Sequence, residues 1–301
     1  MIRSLKTILE ALPANSTLDL GDEVVQGSTD IRLRNDGIHI KNGRPIGPIG
    51  IHLTSWTTAW WGKKTYRPTR DFIWEKADGC GGEADQHYGI SLLGGINAQL
   101  IGWKFVNGAA YGQLGIGLDS MGGVEGTPRD WDIVDCSFLD NSMVPRTDKR
   151  AVQDHNAYLF TGIAASTNGR LLRCKFGPGR NGAIVKVGGT GNDPRFEGSI
   201  GIDFVDTEII VDKEGDTSIV VEGAHSRAIR FFNTKVNLPS QIRVTDGASV
   251  DFYGTFPEGT TYVTYYDRPK DLRLNRRDLV GPSGKMSFPG VRFLPAPTTV
   301  N

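Results

Sequence analysis

Leu100-Ile-Gly-Trp-Lys-Phe105, Ile133-Val-Asp-Cys-Ser-Phe138 and Leu171-Leu-Arg-Cys-Lys-Phe176 are copies of one phrase. Ile202-Asp-Phe-Val-Asp-Thr207, Ile229-Arg-Phe-Phe-Asn-Thr234 and Val250-Asp-Phe-Tyr-Gly-Thr255 continue it. The copies recur at an irregular interval of roughly 20 to 40 residues, as structural repeats do. Each is followed by a turn and a second apolar run, such as Gly115-Ile-Gly-Leu, Ala157-Tyr-Leu-Phe, Ser218-Ile-Val-Val or Gln241-Ile-Arg-Val. A unit of short strands cannot bury its own apolar face, so it must stack on its neighbour. Valine and isoleucine in these runs suit parallel strands packed on both sides.

Working outward from the phrase, helical periodicity is nearly absent after Leu12, which argues against βαβ units. A β-sandwich would need short hairpin turns between successive strands, whereas the equivalence of the phrases favours windings. The expected fold is all-β, a single-stranded parallel β-helix over residues 17–267. Residues 1–16 form its cap: Leu5, Ile8, Leu9 and Leu12 share one helical face and Pro13 ends it. Insertions at 54–88, 119–130 and 140–156 interrupt the repeat, and in a solenoid such insertions gather on one face. Residues 268–301, with Arg273, Arg276, Arg277 and several prolines, read as an extended tail that orders against another copy of the chain.

Composition narrows the function. The 301 residues carry 34 Lys plus Arg and 34 Asp plus Glu, a balance that disfavours a dedicated nucleic-acid binder. Cys80, Cys136 and Cys174 are too few and odd in number for a disulfide framework. Cys136 and Cys174 hold the same place in adjacent phrases and read as small buried thiols, with no metal expected. No run reaches the ~20 apolar residues of a membrane span. Lys6 and Glu10 break the apolar centre that a secretory signal needs.

The first insertion is the richest. It holds Trp56, Trp60, Trp61, Tyr66, Phe72 and Trp74 among Lys63, Lys64, Arg67 and Arg70. Flat rings beside hydrogen-bonding groups suit sugars. The same mixture suits cation–π packing, single-stranded nucleic acid or the small core of a folded loop. Trp56, Trp60, Trp61, Tyr66 and Arg67 are the candidate binding residues. Glu83, Asp85 and His87 follow in a glycine-rich loop, and Asp119 closes Gly115-Ile-Gly-Leu-Asp. Carboxyls on two sides of a bond serve glycoside hydrolysis, and a base such as His87 serves a lyase. If the windings stack in order, Asp119 lies near the first insertion. Glu125, Asp154 and His155 are further polar residues of the other insertions. Gly188-Gly-Thr-Gly-Asn-Asp193-Pro-Arg-Phe196 partly matches a calcium-binding nonapeptide, but a lone copy reads as a turn. No phosphate loop, zinc spacing or nucleophile elbow is present, so no cofactor is expected.

The phrases and the helix Ser4–Leu12 resemble the right-handed parallel β-helix superfamily, which includes pectate-lyase-like enzymes and bacteriophage tailspikes. The resemblance covers about residues 15 to 265 and concerns architecture, without a diagnostic motif. The start without a signal peptide, the few cysteines and the non-repeating tail look more like the phage group. That group implies a homotrimer on a virion or particle surface that binds, and often cleaves, polysaccharide. A non-catalytic structural or adhesive virion component and a free polysaccharide lyase are the alternatives.

Overall fold

The computed structural model describes residues 2–58, 62–80, 88–106, 112–119, 123–141, 155–162, 167–179, 182–189, 198–254, 256–264, 272–275, 287–288 and 291–294. Short strands wind through three sheets of 9, 11 and 11 strands. The chain visits them in a fixed order. In one winding Asp132–Val134 lies in sheet 1, Ser137–Asn141 in sheet 2 and His155–Phe160 in sheet 3. The next winding repeats this with Gly169–Leu172, Lys175–Gly179 and Val185–Gly188. Pairing is parallel throughout the windings. Antiparallel pairs occur only at additions, Ile49–Thr58 with Lys64–Pro68, Thr261–Thr264 with Leu272–Asn275, and Ser287–Phe288 with Val291–Leu294, among the described residues. The fold is an all-β parallel β-helix.

The corner between sheets 1 and 2 explains the phrase. It is made by a single left-handed residue, third in the first three phrases and fifth in the next two: Gly102, Asp135, Arg173, Asp206 and Asn233, like Lys76 one winding earlier, all have φ between 50° and 63°. One such residue turns the chain sharply, and Asp, Asn and Gly tolerate it best. Its N–H is not wasted. Asp135 donates to the Leu172 carbonyl at 2.9 Å and Arg173 to that of Val205 at 2.8 Å, so the backbone ladder runs through the bend. The next residue points inward, which places Trp103, Cys136, Cys174 and Thr207 in one buried column. The Cys174 thiol is held well above its usual range by burial, then by its hydrogen bond with Cys136.

Register makes the column continuous. Phe105 pairs with Phe138 and Phe138 with Phe176, all fully buried. The Phe138 and Phe176 rings stack at 5.5 Å, 4° from parallel. In sheet 1, Leu100, Ile133, Leu171, Phe204, Phe231, Phe252 and Phe293 form one column. Phe204 therefore stacks on Leu171, while Ile202 stacks on Gly169. The last three phrases are offset by two residues from the alignment drawn on sequence. Period-two alternation makes positions i and i+2 look alike, and the corner settles which is which. Glycine supplies room where a ring intrudes: a Cβ at Gly79 or Gly89 would collide with the Phe105 ring.

The helix Leu5–Glu10 caps the first winding, with Leu5 and Leu9 buried. The described residues of the stretch 54–88 include a hairpin, Ile49–Thr58 with Lys64–Pro68, followed by ordinary winding strands Ile73–Glu75 and Asp78–Cys80. Residues 268–301 contribute Val291–Leu294, which pairs with Val250–Tyr253 of the same chain and extends sheet 1. No described helix is long and apolar enough to cross a membrane.

Each stacked phenylalanine adds about 1.5–3 kcal/mol of burial and ring pairing adds about 0.5–1.5 kcal/mol. Phe138→Ala is expected to cost about 3–5 kcal/mol, read as a lowered urea midpoint. An unchanged midpoint would contradict the stacked column.

Candidate functional site

Insertions have only two places to go. From the second winding on, sheets 1 and 2 are joined by two residues, whereas the connections into and out of sheet 3 vary in length. Every long connection therefore borders sheet 3, and the outer face of that sheet is the candidate site.

One outward column of this face runs Gly50, Ser91, Gly115, Tyr158, Lys186. The adjacent column runs Arg32, His52, Leu93, Gly117, Phe160. Glycines floor the centre because rings lie across them. A Cβ at Gly117 would collide with the Phe160 ring, and one at Gly115 would sit 2.9 Å from the Tyr88 ring. Tyr88, Tyr158 and Phe160 form a half-buried aromatic patch. Tyr158 and Phe160 lie 4.9 Å apart, and Tyr88 lies 6.2 and 6.3 Å from them, stacked on Phe160.

Beside the patch, Lys186 Nζ sits 5.1 Å over the Tyr158 ring and 2.7 Å from Glu222 Oε1. Burial, with Glu222 adding to it, pushes the Tyr158 phenol up to about 12. It stays protonated and can donate a hydrogen bond, but it is a poor base at neutral pH. His155 is buried, with Nδ1 at 3.0 Å from the Ala183 carbonyl. Burial, then the Lys186 charge, pushes its pKa down to about 3 against that hydrogen bond. It is a neutral structural ring that supports Tyr158 at 5.6 Å.

The other end of the face carries a histidine between two carboxylates. His52 Nδ1 lies 3.3 Å from Asp119 Oδ2, and its Nε2 lies 3.8 Å from Asp30 Oδ1. The Asp119 side chain is 1% exposed, that of His52 16% and that of Asp30 52%. Burial works against ionisation of Asp30, but the Lys6 hydrogen bond and the charges of Arg32, Lys6 and His52 outweigh it and hold its pKa below the usual range. The two acids face opposite nitrogens of the ring, so they cannot converge on one ion. No group of three His, Cys, Asp or Glu is placed to hold a metal among the described residues.

The structure brings Asp119 to the foot of the first insertion, through His52 on the strand that leads into the hairpin. Trp56 and Tyr66 are cross-strand partners in that hairpin, with centroids 6.4 Å apart. Arg32, Arg34 and Lys64 approach the Trp56 ring at 5.6, 5.4 and 5.1 Å. Arg67 is tied down: its Nη1 donates to both Asp36 oxygens at 3.0 and 2.9 Å, fastening the hairpin to the second winding. Phe72 and Trp74 are fully buried in the core and belong to no binding surface. Glu125 is exposed and paired with Arg129 at 3.4 Å. Trp60, Trp61, Glu83, Asp85, His87, Asp154 and the turn 190–197 lie outside the described residues.

Sequence reading missed His52, Tyr158, Lys186 and Glu222. His52 stands at the polar position of Ile51-His-Leu53, a signal that says outward and nothing more.

The His155 environment predicts a pH dependence. Unfolded chain takes up a proton near pH 6.5, whereas the folded ring stays neutral down to about 3. Stability is therefore intact above pH ~6.5 and falls by up to about 1.4 kcal/mol per pH unit below it. Between pH ~6.5 and ~5, above the carboxylate range, denaturation of His155→Gln is expected to lose this slope. An identical slope in the variant would refute the assignment.

No protein-family model matches the chain, and neither does any curated protein or solved structure.

Proposed function

We propose that this chain binds a polysaccharide along the outer face of sheet 3, in the manner of the tailspike-like right-handed β-helix proteins that its phrases resemble. The observation that carries this reading is the half-buried patch of Tyr88, Tyr158 and Phe160 on a glycine floor, between the connections that border sheet 3. Rings held in place by packing offer sugar faces a rigid apolar surface at little entropic cost. Lys186, Glu222 and the Tyr158 hydroxyl supply hydrogen-bonding groups beside it. Trp56 and Tyr66 add a second aromatic pair, on the hairpin. A long glycan lying along the rod would touch several windings at once. Display of such a face on a virion or particle surface suits this use.

A second reading, cleavage, rests on His52. With its Nδ1 proton donated to Asp119, the ring keeps a lone pair on Nε2, on the more exposed side. A base so oriented can remove a proton from a sugar carbon, as a lyase requires, or from water. Asp119 acts only through the ring, because it is buried beneath it.

Screening on a glycan array, followed by product analysis, tests both. Tyr158→Ala and Trp56→Ala are expected to weaken binding by about tenfold each, which is about 1.4 kcal/mol. His52→Ala is expected to abolish any cleavage with little loss of affinity. Unsaturated products absorbing in the near ultraviolet identify a lyase. Retention of no glycan by native protein would overturn the proposal in favour of a structural or adhesive component.

A further inference from the structure

The outer face of sheet 1 carries two columns that the proposed glycan face does not use. In the first, Asp132, Arg170, Asp203, Arg230, Asp251 and Arg292 occupy consecutive levels, so the sign alternates at every winding. Arg170 grips Asp132 with two bonds of 2.7 Å, and Arg230 grips Asp203 with two of 2.6 Å. Arg292 grips Asp251 at 2.6 and 2.5 Å. In the second column, Val134, Leu172, Val205, Phe232, Tyr253 and Leu294 stand at the same six levels, half-buried, with Phe232 and Tyr253 stacked at 4.4 Å. A continuous apolar stripe beside a charge ladder is the composition of an interface.

We propose that this face pairs with a second copy of the chain, with the two rods antiparallel, a dimer in place of the homotrimer that the resemblance implies. Charge complementarity selects both the occupant and its direction. A two-fold axis parallel to the rod exchanges the columns and sets charge against hydrocarbon. A two-fold axis parallel to the strands sets each column against its own reverse. Placed between the levels of Asp203 and Arg230, that axis puts Asp132 opposite the partner's Arg292, Arg170 opposite the partner's Asp251 and Asp203 opposite the partner's Arg230. All six levels then oppose unlike charges, and the apolar stripe meets itself. The neighbouring corner raises no conflict: Asp206 meets the partner's Asn233 and Arg173 the partner's Gly254. Such a contact is isologous, the commonest closed arrangement. The ladder's upper half borders a cleft of about 620 Å³ lined by Arg230, Asp251 and Arg292, among others, which leaves this end open to an incoming surface.

The alternation makes a test that keeps each bidentate in-chain pair with its signs exchanged, while placing one like-charge neighbour along the ladder, Arg170→Asp beside Asp203 or Asp251→Arg beside Arg230. Asp132→Arg with Arg170→Asp creates four like-charge oppositions in the self-pair, and so does Asp251→Arg with Arg292→Asp. Mixed together, the two variants oppose unlike charges at all six levels. By analytical ultracentrifugation of the full chain, the native protein is expected to be a dimer, each double variant a monomer, and the equimolar mixture a dimer again. Circular dichroism checks that the variants are folded. Should a variant not fold, the native dimer alone suffices: raising salt from about 50 to about 500 mM is expected to weaken it by about tenfold or more. A native monomer, a trimer, double variants that still dimerise, a folded mixture that does not re-form the dimer, or a salt-insensitive dimer would each overturn the proposal.

Discussion

Like side chains must lie over like side chains, and everything else in this molecule follows from that constraint. Parallel pairing brings each winding onto the next in one register, and the left-handed corner residue extends the backbone ladder around the bend. A buried ring therefore has a ring, a branched side chain or a glycine above and below it. Where rings crowd, as at Phe105, the neighbouring windings answer with Gly79 and Gly89. The same rule builds the buried Cys136–Cys174 pair at the corner and, outside the core, the Asp–Arg ladder of sheet 1.

The corner also decides where function can reside. A bend made by one residue in a fixed conformation admits no insertion without losing the ladder through it. The connections around sheet 3 carry no such restriction, so the variable segments collect there. The aromatic patch, the His52–Asp119 pair and the hairpin with Trp56 and Tyr66 all belong to sheet 3 or its connections for this reason, although they come from windings far apart in sequence. The two faces differ in kind. Sheet 3 is floored by glycine and roofed by rings, whereas sheet 1 presents repeated charge and a plain apolar stripe.

Much of this was legible before any coordinates. The repeated phrase carried the solenoid, the buried phenylalanine column and the buried thiols, because period-two burial with a fixed corner leaves a periodic trace. The cap helix was legible from the spacing of Leu5 and Leu9. Alignment of the last three phrases failed by two residues, since alternation alone does not distinguish Ile202 from Phe204. The aromatic count of the first insertion also misled in part. Phe72 and Trp74 look no different in sequence from Trp56, yet they face the core while Trp56 faces outward.

The chain's own sequence determined the architecture, because stacking is a local rule repeated many times and each repeat votes for the same answer. Only the tertiary structure decided which polar groups meet. His52 and Asp119 are 67 positions apart, and Lys186 and Glu222 are also distant along the chain. No local pattern can encode such contacts. They exist because winding converts a long separation along the chain into adjacent levels of one rod.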